Sequence, residues 1–244
     1  MMKALSIRPT QGSRTAETIM SKMKILKALL VTGTLITLST PAYAPSNQGR
    51  DNSVGKFDFY VLSLSWSPTF CQAPGNRAEK EGECGGEPRS FVVHGLWPES
   101  DRRFNESCVV PAPRLPRSIV DSMLDLMPSP RLIYHEWDTH GTCSGLSPAE
   151  YFNTVRKARA EINIPAEYAD LHNESKVDPN DIRAAFIRAN PDLEESSIAV
   201  ECDGRLREVR ICLSKDLRFR ACPEIVEHSC HREAIVVPPI EGDR

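Results

Sequence analysis

The 244-residue chain lacks any excess of positive charge: 30 Lys and Arg stand against 33 Asp and Glu, a formal net charge of −3. A protein that gathers a polyanion by long-range attraction carries the opposite balance, so a nucleic-acid ligand would have to be held by local contacts. The chain also lacks a Cys-x-x-Cys pair, and its eight cysteines are widely spaced, which argues against a structural zinc site. Beyond residue 44 no stretch is long and apolar enough to cross a bilayer. Internal repeats are absent too, as is any linker long enough to divide the chain.

What is present begins with an export signal. Lys22, Lys24 and Lys27 lead into an apolar run at 28–38, and Ala42-Tyr43-Ala44 has the small-x-small pattern of a cleavage site. This is the layout of a secretory signal peptide, with the residues before Met20 an upstream extension. The run is too short, and too interrupted by Thr and Ser, to act as a membrane anchor. The expected mature chain is a single catalytic domain over 45–244, periplasmic or extracellular. Removing residues 1–44 takes six of the 30 basic residues and one of the 33 acidic ones, leaving 24 against 32, a net charge of −8. Cys71, Cys84, Cys108, Cys143, Cys202, Cys212, Cys222 and Cys230 all lie beyond the cleavage site, and an even number in an exported chain predicts four disulfides.

Local patterns divide the mature chain into strands, then helices, then strands. Residues 57–65 are aromatic and β-branched enough for a central strand, and 67–88 read as a long loop. Residues 90–93 form a short strand delivering His94 at its end. Apolar spacing predicts a helix over 117–127. Ser129-Pro130 starts a second helix that runs to His140, with Gly141 as its left-handed stop. The capping box Ser147-Pro148-Ala149-Glu150 opens a third helix reaching about Ile162, and Asp178-Pro179 opens a fourth that stops before Pro191. Residues 198–202 and 205–213 form a hairpin about Asp203-Gly204. The fold class is α+β, with an antiparallel sheet and flanking helices.

Two short segments carry the chemistry: His94-Gly95-Leu96-Trp97-Pro98, and His135-Glu136-Trp137-Asp138-Thr139-His140-Gly141-Thr142-Cys143. A lone histidine is usually structural, and His172, His228 and His231 are read that way. Three of six histidines in two motifs that both hold a tryptophan is a different pattern. Histidine alone titrates unperturbed between about pH 5 and 8, so a pair can hold one base and one acid together. On a helix, Glu136 and His140 share a face and His135 lies about 100° round the axis. Such a set suits attack of a ribose 2′-hydroxyl on its own phosphorus, chemistry that DNA cannot undergo. Zinc held by His94, His135 and His140 is the sharper rival, but a spacing of five separates two ligands that should share a helix face.

Phe91-Val92-Val93-His94-Gly95-Leu96-Trp97-Pro98 and residues 132–143 together resemble the two active-site signatures of the ribonuclease T2 family, and Ser65-Trp66-Ser67-Pro68 is similar to the family's opening strand. The resemblance implies a disulfide-stapled ribonuclease T2-like fold around an antiparallel sheet. It implies endonucleolytic cleavage of single-stranded RNA with little base preference, through a 2′,3′-cyclic phosphate to a 3′-phosphate, without metal or cofactor. By position, His140 is the general base, His94 the general acid, His135 a phosphate ligand and Glu136 a transition-state stabiliser. Trp97 and Glu99 fall where the family holds the base. The resemblance also suggests bridges Cys108–Cys143, Cys71–Cys84, and Cys202–Cys230 nested around Cys212–Cys222. No DNA ligand, membrane anchor or obligate protein partner is implied, and a monomer is expected. The alternatives are a ribonuclease-like binding or toxin protein with incidental activity, and a zinc-dependent hydrolase.

One position departs from the family pattern. Thr139 stands where members often carry Lys, and a hydroxyl can donate to a phosphoryl oxygen but brings no charge. Arg205, Arg207, Arg210, Lys215, Arg218 and Arg220 form a basic stretch that could supply a cation, although a solvated hairpin face is the plainer reading. Asn105-Glu106-Ser107 and Asn173-Glu174-Ser175 match the glycosylation sequon, a pattern that arises readily by chance. Restoring the missing charge with Thr139→Lys is expected to raise turnover on RNA. An unchanged or lower rate in a folded variant would remove Thr139 from the account.

Overall fold

Strand β1, Phe59–Trp66, is hydrophobic on both faces because it lies in the middle of the sheet. Tyr60, Leu62, Leu64 and Trp66 enter the main core, while Phe59 and Val61 enter a smaller cluster on the other face with Ala199, Cys212, Cys222 and Ile225. A computed structural model describes residues 54–73, 82–85, 87–101 and 103–240; the expected signal peptide and mature start at Pro45 lie outside them. β1 pairs antiparallel with β2, Phe91–Ser100, on one side and with β6, Leu206–Leu213, on the other. β3, Arg103–Phe104, and β5, Ile198–Cys202, complete the order β3-β2-β1-β6-β5. β4, Ser175–Val177, and β7, Ile235–Val237, form a separate two-stranded ribbon. The architecture is α+β.

Seven α-helices are present among the described residues: α1, Ser67–Gln72; α2, Arg117–Met123; α3, Pro130–Thr139; α4, Pro148–Ala160; α5, Ala166–Ala169; α6, Pro179–Ala189; and α7, Pro223–Val226. Buried residues of α2, α3, α4 and α6, among them Met123, Trp137, Phe152 and Phe186, join the core face of β1. Three starts follow local capping chemistry. The Ser129 hydroxyl accepts from the Leu132 N–H, Ser147 and Glu150 form a reciprocal capping box, and Asp178 accepts from the Asn180 N–H.

Four expectations are corrected. Ser67–Gln72 is helical rather than loop, with Pro68 in its first turn. β2 runs through the whole first motif, so His94 sits inside a strand and not at its end. The hairpin turn occupies residues 203–205, since Cys202 pairs with Leu206. Gly141 does not terminate α3 in a left-handed conformation. The chain tightens into a 3₁₀ turn, Gly141–Ser144, and Gly145 at φ 74° makes the stop. Gly141 is needed for another reason, because a Cβ there would lie 2.5 Å from the Trp137 ring.

All eight cysteines pair, as Cys71–Cys84, Cys108–Cys143, Cys202–Cys230 and Cys212–Cys222. Cys108–Cys143 closes a separation of 35 residues around α2 and α3 and fixes the turn that follows His140. Closing a loop of that size in the unfolded chain corresponds to about 3–4 kcal/mol of stability. Replacing both cysteines by alanine should lower the urea-unfolding free energy by about that amount, and a loss below about 1 kcal/mol would show that the loop is held by other contacts.

Candidate active site

The site grows from a defect in the sheet. Ser63 pairs with Gly95 and Leu64 with Val93, so His94 is the extra residue of a β-bulge in β2. Bulges re-aim side chains, and this one carries the imidazole of His94 to the face of Ser63, Ser65 and Glu208. Its Nδ1 lies 2.6 Å from Oε1 of Glu208 on β6. Glu208 is itself held by the hydroxyls of Ser63 at 3.0 Å and Ser65 at 3.4 Å, and by Arg210 through Nε at 3.2 Å and Nη2 at 3.0 Å. Burial works against ionisation of Glu208, but the bond and charge of His94, with Arg210 and Ser63, overcome it and bring the carboxyl down to about 2. For His94 burial disfavours the cation, and the hydrogen bond and charge of Glu208 with the charge of Glu136 outweigh it. Its affinity for the proton rises above the ordinary histidine value.

Glu136 reaches the same place from the buried side of α3. Trp97 Nε1 donates to its Oε2 at 2.8 Å, and its Oε1 lies 3.6 Å from His94 Nε2. Gly95 permits this approach, because a Cβ there would fall 1.9 Å from Glu136 Oε2 and 2.5 Å from Trp97 Nε1. Glu136 is only 1% exposed, and burial pushes its carboxyl up to about 7 despite the charge of His94 and the bond from Trp97.

His140 is the residue that caps the end of α3, and its backbone N–H bonds the Glu136 carbonyl at 3.0 Å. Its ring tilts 32° against that of Trp97 with centroids 5.2 Å apart, while His94 meets the same indole edge-on at 5.4 Å. Burial first, then the charges of His135 and His94, push its pKa down to about 3. His140 is a neutral base at any ordinary pH. Trp97 thus joins two imidazoles of opposite disposition.

His94, Trp97, Glu136 and His140 come together; the other expected residues are placed differently. His135 is exposed, with Nδ1 3.4 Å from the Thr139 hydroxyl, on the rim of a cleft of about 500 Å³ beside His94 that is also lined by Ser65, Phe70, Glu83 and Arg207. Glu99 is buried, accepts from the Asn105 N–H at 3.3 Å and does not line this cleft; burial pushes it up to about 8. Of the basic stretch, Arg207 lines this cleft and Arg210 enters beside it, with Cζ 5.1 Å above the Trp97 ring. Its charge faces Glu208 and, through Nη1 at 3.2 Å, Glu201. Arg207 pairs with Asp203, Arg220 with Asp101, and Lys215 lies over Phe57. The Asn105 sequon is a chance match, since its amide is buried and donates to Pro98 O and Ser100 Oγ.

Glu208, Ser63 and Ser65 escaped the sequence reading, while Arg210 was reached only as one of six basic residues that could supply a cation. Their signal was polar residues at alternate positions of otherwise apolar strands, which acquires meaning only once β1 and β6 are known to pair.

Residues 57–222, more than half of the chain, match the model of the ribonuclease T2 family. A ribonuclease of Aeromonas hydrophila is 35% identical over 129 residues, 52% of this chain and 56% of its own length. A probable ribonuclease of Haemophilus influenzae is 27% identical, covering 70% of this chain and 63% of its own length, so the chain spans about three fifths of both relatives. Ribonuclease I of Escherichia coli is 26% identical over 78% of this chain and 88% of its own length. The fold is similar to that of RNase NT solved with 5′-AMP, at a TM-score of 0.60 and 24% identity, covering 75% of this chain and 98% of that one.

The titrating groups fix how stability follows pH. Below 6.5 the unfolded chain binds a proton at His140 that the folded chain refuses until about pH 3, so acidification through that range destabilises. Glu208 acts in the same sense between 4.5 and about 2. Glu136 and Glu99 act oppositely: above 4.5 the folded chain keeps protons that the unfolded chain has lost, so stability falls as pH rises towards about 7 and 8. Each group contributes up to about 1.4 kcal/mol per pH unit, and two raised carboxyls outweigh one depressed imidazole. Urea midpoints measured from about pH 3 to pH 8 should peak near pH 4.5, and a peak at neutral pH or above would contradict these assignments.

Proposed function

The chain belongs to the ribonuclease T2 family, and we propose that it is an exported endoribonuclease that cleaves single-stranded RNA by acid–base transphosphorylation. The observation that carries this reading is the pair of imidazoles in contact with Trp97, one favoured as a cation by Glu208 and the other kept neutral by burial. His140 accepts the proton of the ribose 2′-hydroxyl as that oxygen attacks phosphorus. His94 delivers a proton to the departing 5′-oxygen from Nε2, because Nδ1 is engaged by Glu208. A 2′,3′-cyclic phosphate results, and reversal of the two roles with water opens it to a 3′-phosphate.

Below about pH 7 Glu136 is protonated, so it can donate to a phosphoryl oxygen instead of repelling it. His135, on the rim of the cleft, with the Thr139 hydroxyl 3.4 Å from its Nδ1, is the next group that could approach the phosphate. Trp97 holds Glu136 by its N–H and contacts both imidazoles, which makes it the frame of the site. No cofactor enters these steps. Export is supported by the four disulfides, which persist in an oxidising compartment.

The test incubates oxidised protein with RNA, with matched DNA, and with RNA plus chelator. Cleavage of RNA alone, surviving chelator and leaving cyclic phosphate ends, is expected. Loss with chelator would indicate a zinc hydrolase, and no cleavage a binding protein. His94→Ala and His140→Ala should each reduce the rate by about 10²–10⁴-fold with unchanged circular dichroism. A substantially active variant would overturn the role given to that histidine.

A further inference from the structure

We propose that Glu208 is the positioning residue of the general acid: its carboxylate orients the His94 ring through Nδ1 and supplies the counter-charge that balances it. This rests on the ribonuclease reading above and names a partner for its acid. A carboxylate in the middle of a sheet is destabilising unless donors surround it. Glu208, 10% exposed at its side chain, is surrounded by four groups: Ser63, Ser65, Arg210 and His94. Two hydroxyls on the neighbouring strand and a guanidinium on its own strand hold the carboxylate still, so the imidazole must conform to it.

Strand register explains the match. Ser65 pairs with Glu208 and Ser63 with Arg210 across β1 and β6, while the bulge in β2 turns residue 94 towards them. In a regular strand residue 94 would take its own place in the ladder opposite a β1 residue; as the extra residue of the bulge it is left unpaired, and its ring turns to Glu208. The extra residue and the buried carboxylate are two halves of one arrangement. Behind it, Arg210 continues to Glu201 on β5, so a line of charges crosses the sheet from β5 to β2.

The other groups around His94 do not duplicate this role. Arg210 opposes the cation, and Arg207 and Arg131 line the adjoining cleft. His140 is neutral. Burial raises Glu83, and it brings Glu136 to about 7, so in mildly acid solution Glu136 favours the protonated form. Glu208, at about 2, is ionised throughout.

Glu208→Gln keeps the shape and an acceptor oxygen but removes the charge. The NMR titration of the His94 ring should move to lower pH in this variant. The alkaline limb of its RNA-cleavage profile should move with it, with about tenfold loss near pH 7.5, less than about threefold near pH 5, and KM unchanged. A purely structural role would lower the rate equally at all pH values; that result, or an unmoved His94 titration, overturns the proposal. Should the variant not fold, the wild-type protein decides. Its His94 ring must titrate above the ordinary histidine range and show a strongly downfield Nδ1 proton, and absence of either overturns the proposal. The ring titration needs no turnover, so a wild-type protein that fails to cut RNA defeats the ribonuclease reading while Glu208–His94 coupling is still measured.

Discussion

Burial of one carboxylate organises the site. Glu208 lies on the central sheet, where an unpaired negative charge would be strongly destabilising, and its neighbours are what that burial requires. Ser63 and Ser65 interrupt the apolar face of β1 at the two positions that reach it, and Arg210 follows it on the same face of β6. The last partner is His94, brought into place by the bulge. Removing the bulge would leave Glu208 short of a donor and His94 without its counter-charge. Stability of the sheet and orientation of the His94 ring depend on the same hydrogen bonds.

The two imidazoles illustrate how burial alone does not decide protonation. His140 is buried and His94 partly so, and in both the first effect is to disfavour the cation. His94 has the ionised Glu208 at 2.6 Å, so the cation wins. His140 has an indole beside it and two other histidines around it, so the neutral ring wins. The different proton affinities of the two rings therefore come from the surroundings of each and not from its residue type.

What could be read from the chain was local. Ser129, Ser147 and Asp178 announced three helices because a cap acts within four residues of itself. Glu136 and His140 were placed together because helical periodicity relates them directly. The rest depended on distant segments. The first motif looks like a short strand that ends at His94 because Gly95 and Pro98 are poor strand residues. It is nevertheless extended along β1 from Phe91 to Ser100 by cross-strand pairing. Gly141 had the right position for a helix stop, but the Trp137 ring above it decided otherwise. Three-residue strands such as β4 and β7 carry too little pattern to be seen before their pairing is known.

The same burial removes an apparent contradiction between composition and chemistry. An acidic chain with Thr139 in place of a lysine is a poor host for a polyanion if its carboxylates are ionised where the phosphate sits. Beside His94 one of them is held neutral and the other is covered. Burial pushes Glu136 to about 7, while Glu208, which stays ionised, is covered by Arg210, two hydroxyls and His94. In mildly acid solution the groups facing a phosphate would be a charged imidazole, a neutral carboxyl able to donate, and His135 at the rim. The local field then differs in sign from the net charge, and its reach is short. Such a site favours a ligand brought by contact and shape over one drawn in from a distance, and it loses that advantage as Glu136 ionises.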